Sequence, residues 1–302
     1  MGLTFKTKLA IIAAVVFWSS AFVGIRAGLE DFSPGGLALL RYLIGSFGMW
    51  LIFIRRPKRE KTFNSRELTY ALLTGVVGIG MYNITLNYGE QVISSGVASF
   101  IISQSPIITT LLAIIYLKEK VSLSGIFGMV VSGVGVALIT LSQTDNFNFY
   151  VGIFYILFAT FVGSLYSILQ KALLRKHDVI DLTTYAVWGG TLILFIFTPD
   201  LIEDLKTASL QGWITVIYLG IFPTVIGYLA WSYVLTQIST SQAVSYLYFS
   251  PLIATLIGWV WLGEIPELLA FVGGLIALFG VWWVHLSFNK RRTELKSLMT
   301  AQ

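Results

Sequence analysis

Apolar runs long enough to cross a membrane follow one another along almost the whole chain, separated by short polar links. A helix needs about 20 mostly apolar residues to cross a bilayer core. Windows of that length fall near 9–28, 35–54, 68–88, 93–117 and 122–142, then near 150–173, 181–198, 212–235, 241–262 and 268–288. The pattern predicts an all-α integral membrane fold of ten transmembrane helices. The longest link is the basic stretch Arg55 to Arg66, too short for a soluble domain. The first run follows Lys6 and Lys8 and contains Ser19-Ser20-Ala21, which loosely imitates a leader cleavage site. It continues past that stretch to about Ile25 and further spans follow at once, so it reads as a retained helix.

Composition excludes a soluble globule. Hydrophobic residues make up 56% and charged residues 12% of the chain, against roughly 25% charged in ordinary soluble proteins. The net charge of +5 does not indicate a nucleic-acid partner, because the basic residues sit in short clusters between apolar runs. Their placement gives orientation instead. With the N-terminus in the cytoplasm, ten crossings put 17 of the 20 Lys and Arg inside; Arg26, Arg41 and Lys206 are the exceptions. Glu30, Asp31, Glu90, Asp145, Asp200, Glu203, Asp204, Glu264 and Glu267 fall outside. This separation predicts cytoplasmic N- and C-termini. The short loops and tails suggest a bacterial inner (plasma) membrane.

The chain also repeats. Residues 68–139, shifted by 145 positions, lie on 213–284 without a gap: Gly75 meets Gly220, Tyr88 meets Tyr233, Ser105-Pro106 meets Ser250-Pro251, and Gly135-Val136 meets Gly280-Val281. The expected organisation is a five-helix repeat over 1–145, a second over 146–289, and a basic cytoplasmic tail over 290–302. Five crossings is an odd number, so the second repeat must lie upside down relative to the first. Glu119, inside by the charge rule, then corresponds to Glu264, outside. Inverted repeats are a transporter architecture, because two similar halves can exchange inward-open and outward-open shapes around a central site.

The residues that mark the repeat also carry a resemblance. Trp18-Ser19-Ser20-Ala21-Phe22, Pro34 leading into Arg41, and Ser105-Pro106 through Leu117-Lys118-Glu119 are followed by a fuller second copy: Gly220 to Tyr233, Ser250-Pro251, Leu262-Gly263-Glu264, Gly273 and Gly280. Over nearly its whole length the chain resembles the EamA-domain proteins of the drug/metabolite transporter superfamily. The resemblance implies a central cavity lined largely by spans 1, 3, 4, 6, 8 and 9. Spans 5 and 10 would lie at the periphery, often at a homodimer contact. Members are exporters or permeases for amino acids, other metabolites and some drugs.

Polar and aromatic groups at membrane depth supply the candidate substrate contacts: Trp18, Ser20, Tyr82, Asn83, Asn87, Ser103, Gln104, Ser164, Tyr228, Trp231, Tyr246 and Tyr248. An amide facing acyl chains is costly, so Asn83, Asn87 and Gln104 are expected to face the bundle interior. Helix–helix hydrogen bonding is the alternative role for each polar group, and interfacial anchoring for rings near helix ends. Pro106 and Pro251, expected mid-helix, and more weakly Pro223, are candidate hinges. Arg41 reads either as a partner for an anionic substrate or, in preference, in a structural role, reaching the outer headgroups or pairing with Glu30, Asp31 or Glu90. Small residues on the fifth and tenth spans, such as Ser124/Gly128/Ser132 and Gly273/Ala277, point to close helix packing, within the fold in preference to between copies.

No Asp or Glu falls in the middle of any expected helix, so obligatory proton exchange through a deep carboxylate is disfavoured. Related small multidrug antiporters keep such a carboxylate on their first helix, where this chain has Phe17-Trp18-Ser19-Ser20. Glu90 near an outer end leaves some room for coupling. The chain has no cysteine, and its histidines, His177 and His285, are far apart. No metal site, cofactor or catalytic residue is therefore expected. The reading is a secondary transporter moving an amino acid or a similar amphiphilic solute or drug, by alternating access and toward export or facilitated movement. A membrane-embedded enzyme acting on a lipid or lipid-linked substrate is the alternative, for which the helices offer no acid pair, Ser/His dyad or metal cluster.

Overall fold

The computed structural model describes residues 3–56, 63–117, 123–142, 147–238 and 240–300. Lys58, Arg59, Lys61, Lys118, Glu119, Lys120 and Asp145 lie outside that set, as does the side chain of His285. Every regular element in it is helical: α1 (Phe5–Gly28), α2 (Pro34–Arg55), α3 (Ser65–Gly75), α4 (Tyr82–Glu90), α5 (Ser95–Ile102), α6 (Ser105–Leu117), α7 (Leu123–Leu141), α8 (Phe147–Leu173), α9 (Val179–Leu194), α10 (Thr198–Asp204), α11 (Leu210–Leu219), α12 (Tyr228–Gln237), α13 (Thr240–Ser245), α14 (Ser250–Leu262) and α15 (Leu268–Thr300). α3 and α4 run on as one rod, Ser65–Glu90, through a π-helical segment at Val76–Met81, and α11 and α12 do the same through Gly220–Gly227. Seven stretches are long and apolar enough to cross a membrane, and Leu123–Ile139 and Leu268–Trp283 are shorter apolar helices. Large apolar side chains face outward, including Ile12 at 59%, Phe47 at 60% and Val260 at 77% exposure. Water would penalise such a surface, and lipid does not.

Element boundaries carry the 145-residue register beyond the stretch that sequence matching covers. Pro34, Ser65, Ser95, Ser105 and Leu123 each open a helix, and so do Val179, Leu210, Thr240, Ser250 and Leu268, each 145 positions later. The caps repeat as well: Ser33 and Asp178 cap α2 and α9, and Asn64 and Ser209 cap α3 and α11, each accepting from a first-turn N–H. Such caps satisfy donors that would otherwise be orphaned at the helix start.

Ionic side chains join elements at two ends of the bundle. At one end, Asp204 accepts from the Ser33 N–H and hydroxyl, Asp31 does the same for Ser209, and Glu264 does the same for Ser95. Each carboxylate thus sits at the start of a neighbouring helix, where the helix dipole favours negative charge. At the other end, Arg56 pairs with Asp181 at 2.8 Å, His177 approaches Glu67 at 3.5 Å, and the Lys171 ammonium donates to the Leu235 and Ile238 carbonyls.

The expected fourth span breaks in two. α5 stops at Ile102, Ser103 and Gln104 form a turn, and α6 begins at Ser105, so Pro106 stands in a first helical turn. Pro251 holds the same place in α14. The sequence reading put both prolines mid-helix. A first turn accepts proline more readily, because the missing N–H would have no partner there. The Ile102 carbonyl, four residues before Pro106, accepts from the Ser105 hydroxyl at 2.6 Å.

α7 and α15 pack on each other backbone to backbone. A Cβ at Gly273 would lie 2.7 Å from the Gly135 carbonyl oxygen, and one at Gly280 would lie 2.6 Å from that of Gly128. The small-residue spacing therefore serves packing inside the fold, the role preferred from the sequence.

Candidate functional site

The two π-helical segments create the chemistry of the bundle centre. A π turn or an internal proline breaks the regular ladder, and the freed carbonyls need other donors where water is absent. Pro223, the weaker of the hinge candidates, lies inside Gly220–Gly227. The Leu219 carbonyl, four residues earlier, accepts from the Thr224 hydroxyl at 2.9 Å, and the Pro223 carbonyl accepts from the Trp18 indole N–H at 3.1 Å. In the other rod, the Ile79 carbonyl accepts from the Asn83 amide at 2.8 Å beside the Tyr82 backbone N–H.

Arg41 lies between these two repairs. Its Nε donates to Thr224 Oγ1 at 3.0 Å and its Nη1 to Asn83 Oδ1 at 3.1 Å. The same Asn83 amide nitrogen donates to the Tyr42 hydroxyl at 2.7 Å, and that hydroxyl shares a 3.0 Å hydrogen bond with the Tyr228 hydroxyl. Asn83, Arg41, Tyr42 and Tyr228 are all buried. The network ties α2 to both broken rods, and it fixes a guanidinium at membrane depth.

Beside this network lies a cavity of about 90 Å³, room for several waters or a small ligand fragment. Trp18, Phe22 and Ile25 wall it from α1, Tyr82 and Asn83 from α4, and Ile102, Ser103 and Ser105 from the α5–α6 break. Tyr166 and Ser167 of α8, Tyr228 and Trp231 of α12, and Val244, Leu247 and Ser250 close the other side. These are the spans that the resemblance implies, with Arg41 of α2 added. The rings form a continuous cluster: Trp18 lies 5.3 Å from Tyr228 and 5.1 Å from Trp231, and Tyr166 lies 6.1 Å from Tyr228, between centroids. Aromatic faces with a few fixed polar groups are typical of small-molecule sites.

Of the twelve candidates named from the sequence, Trp18, Tyr82, Asn83, Ser103, Tyr228 and Trp231 line this cavity. The other six have different surroundings. The Ser20 hydroxyl bonds the Tyr218 hydroxyl at 2.6 Å. Asn87 donates to the Pro34 carbonyl at 3.0 Å, Gln104 to the Phe100 carbonyl at 3.2 Å, and the Ser132 hydroxyl to Gln104. The Ser164 hydroxyl bonds the Thr160 carbonyl, while Tyr246 and Tyr248 are half-buried away from the cavity wall. Ser20, Asn87 and Gln104 join helices, the alternative role weighed for them, whereas the Tyr248 hydroxyl is buried without a hydrogen-bond partner among the described residues. Arg41, for which the sequence favoured the outer headgroups or an outer carboxylate, has neutral partners instead. Tyr42 was not singled out; only its position beside Arg41 on a spanning helix could have marked it.

Glu90, placed by the sequence among outer-loop carboxylates, is the last residue of α4 and is fully buried. Its two carboxylate oxygens have no hydrogen-bond partner among the described residues, and it does not line the cavity. Among those residues no group of three or more His, Cys, Asp or Glu could hold a metal ion.

Comparison with known proteins adds the lineage. A family model described as "EamA-like transporter family" matches twice, over residues 6–141 and 150–286. The chain is 38% identical to the "Uncharacterized transporter YdfC" of Bacillus subtilis, over 90% of this chain and 89% of that one. It is 31% identical to a "Probable terminal-alkyne amino-acid exporter" of Streptantibioticus cattleyicolor, over 96% of both chains. A "Probable amino-acid metabolite efflux pump" of Salmonella typhimurium is 24% identical, over 95% of this chain and 97% of that one. One solved crystal structure superposes with a TM-score of 0.63 at 15% identity, covering 95% of this chain and 98% of the other, and so shares the fold.

Proposed function

Because the chain belongs to the EamA-like transporter family, we propose that this small-molecule transporter carries an amphiphilic organic solute, of amino-acid size and kind, through the central cavity by alternating access. The family and the relatives' names are those of transporters, not enzymes. Names of two relatives refer to amino-acid export, which supports amino acids and their derivatives as the first solutes to try.

The supporting observation is the cavity itself, walled by residues from both halves of the chain and backed by two broken helical rods. Two rods with the same defect at the same register suit halves that exchange roles across the membrane. Adding α5–α6, α7 and α15 to the seven long apolar stretches gives ten crossings. Halves at 1–145 and 146–289 accommodate the 145-residue register of helix starts. Inversion is supported by the bonded ends: Ser33 sits at the end held by Asp204, whereas its counterpart Asp178 sits at the end where Arg56 meets Asp181. Cytoplasmic termini and an inner-membrane location follow from the basic links. Pro106, Pro223 and Pro251 mark where the helices would flex, and the outward apolar faces of α7 and α15 would serve a homodimer.

Among the described residues no carboxylate lines the cavity, which favours gradient-driven movement over obligatory proton exchange. The test is uptake and counterflow in proteoliposomes with labelled amino acids, nucleobases and amphiphilic cations. Saturable movement of one class is the expected result. Chemical alteration of a membrane lipid with no solute moved would overturn the reading. Since the chain has no cysteine, single cysteines at Lys58 and Gln91 report topology directly: impermeant maleimide should reach the first only from the cytoplasmic side and the second only from outside.

A further inference from the structure

A guanidinium removed from water is stable only if its charge and its donors are satisfied. Arg41 is 3% exposed on a membrane-spanning helix. Two of its five N–H donors are used, both on neutral acceptors, the Thr224 hydroxyl and the Asn83 carbonyl oxygen. No carboxylate among the described residues lies within the 4.0 Å of an ion pair with it. Its positive charge therefore faces the cavity with no carboxylate paired to it.

The rest of the wall has the same bias. The Trp231 indole N–H, which can only donate, is buried without a partner, and so is the Tyr166 hydroxyl. No Asp or Glu of the described residues belongs to the wall. Glu90 is close enough to interact with Arg41 through space but forms neither an ion pair nor a hydrogen bond with it. A cavity offering donors and one fixed cation is complementary to an acceptor-rich anion. A single guanidinium balances one negative charge and fits a planar two-oxygen group side by side. A phosphate dianion would keep a charge uncompensated among aromatic walls.

We infer that the transported solute carries a carboxylate bound by Arg41, with Trp18, Trp231 and Tyr228 covering its apolar part. This rests on the transport reading and narrows it, because amphiphilic cations are then not substrates. Thr224 and Asn83 act as positioning residues that hold the guanidinium toward the cavity. Plain monocarboxylates and amino acids both satisfy the requirement, the ammonium of the latter being placed against aromatic faces.

The test compares matched pairs on the intact wild-type protein in proteoliposomes: L-phenylalanine, L-leucine and 3-phenylpropionate, each against its carboxamide, by counterflow and by ligand-induced thermal shift. At least one acid is expected to bind and move about tenfold or more better than its amide. Arg41→Gln should abolish that preference, and Arg41→Lys should retain part of it, since an ammonium keeps the charge but loses the paired geometry. If amides or amphiphilic cations move while acids do not, transport stands and the carboxylate assignment falls. If no solute of any charge moves, the transport reading falls and takes this inference with it. Retention of full acid preference in Arg41→Gln would also overturn it. Should that variant fail to fold, the wild-type acid–amide comparison decides alone.

Discussion

Arg26 and Glu264, 238 positions apart in sequence, meet in a 3.0 Å ion pair that joins α1 to the turn after α14. Each partner also holds a third element. The Arg26 Nη1 donates to the Glu90 and Gln91 carbonyls at 2.8 and 2.9 Å, and Glu264 Oε2 accepts from the Ser95 N–H and hydroxyl. Gly263 makes this possible. With φ of 68° it closes α14 in the left-handed conformation that a side chain resists, and it turns Glu264 toward α5. The pair thus latches parts of both halves at one end of the bundle.

Breaking that latch should loosen the end without touching the cavity. Glu264→Ala removes the ion pair and the Ser95 cap together, at a cost of about 1–3 kcal/mol. Glu264→Gln, which can still accept from Ser95, should cost less, because a half-exposed ion pair by itself contributes about 0–1 kcal/mol. Thermal unfolding in detergent reads both, and a double-mutant cycle with Arg26→Gln isolates the pair. Equal destabilisation by the two Glu264 variants would show that the cap contributes nothing.

The close backbone approach of α7 and α15 offers a second test. Gly273 of α15 faces the Gly135 carbonyl so tightly that a methyl group would lie 2.7 Å from that oxygen. Gly273→Val should separate α7 from α15 and destabilise the protein by about 1–3 kcal/mol, as overpacking does. Gly133, around which a Cβ would meet nothing within 4 Å, is the control: Gly133→Ala should be neutral or slightly stabilising. Thermal unfolding of the two variants side by side checks the contrast.

Asn83 and Gln104 are both buried amides on cavity-forming spans, and the sequence could not separate them. The cost of facing acyl chains places an amide in the interior, but which neighbour it meets depends on where the backbone departs from regularity. Asn83 stands just past a π segment, which supplies the Ile79 carbonyl and turns the side chain to Arg41. Gln104 stands in the α5–α6 turn and is engaged by Ser132 of α7. The length of the apolar runs made most spans legible, and the repeat made Pro106 and Pro251 legible as a pair. The π segments left no signal in the first rod beyond ordinary apolar residues, so the bonds of Arg41 and the place of Tyr42 stayed hidden.

That difference can be measured. Asn83→Ala strips Arg41 of one acceptor and the Ile79 carbonyl of its side-chain donor, leaving it the Tyr82 N–H. It should cost about 1–3 kcal/mol and weaken solute affinity. Gln104→Ala should cost a similar amount of stability while leaving the solute KM within about twofold, because its partners lie outside the cavity. Thermal unfolding and proteoliposome uptake on the same preparations decide between a site role and a packing role for each amide.

Glu90 provides the sharpest test of energy coupling. A carboxylate buried without hydrogen bond or ion pair is costly when charged, and both Glu90 oxygens are in that position among the described residues. A proton relay would need this group to load and release a proton in each cycle, with Arg26, Glu264 and Arg41 as the charged groups around it. The cavity wall does not include it, so the solute cannot exchange with that proton directly. Glu90→Gln keeps the shape and removes the ionisable group. Uptake driven by a solute gradient alone should therefore persist in the variant at near wild-type rate, with stability unchanged or raised. Accumulation against a gradient under an imposed proton gradient, present in the wild type and lost in Glu90→Gln, would establish Glu90 as a coupling residue and reverse this assignment.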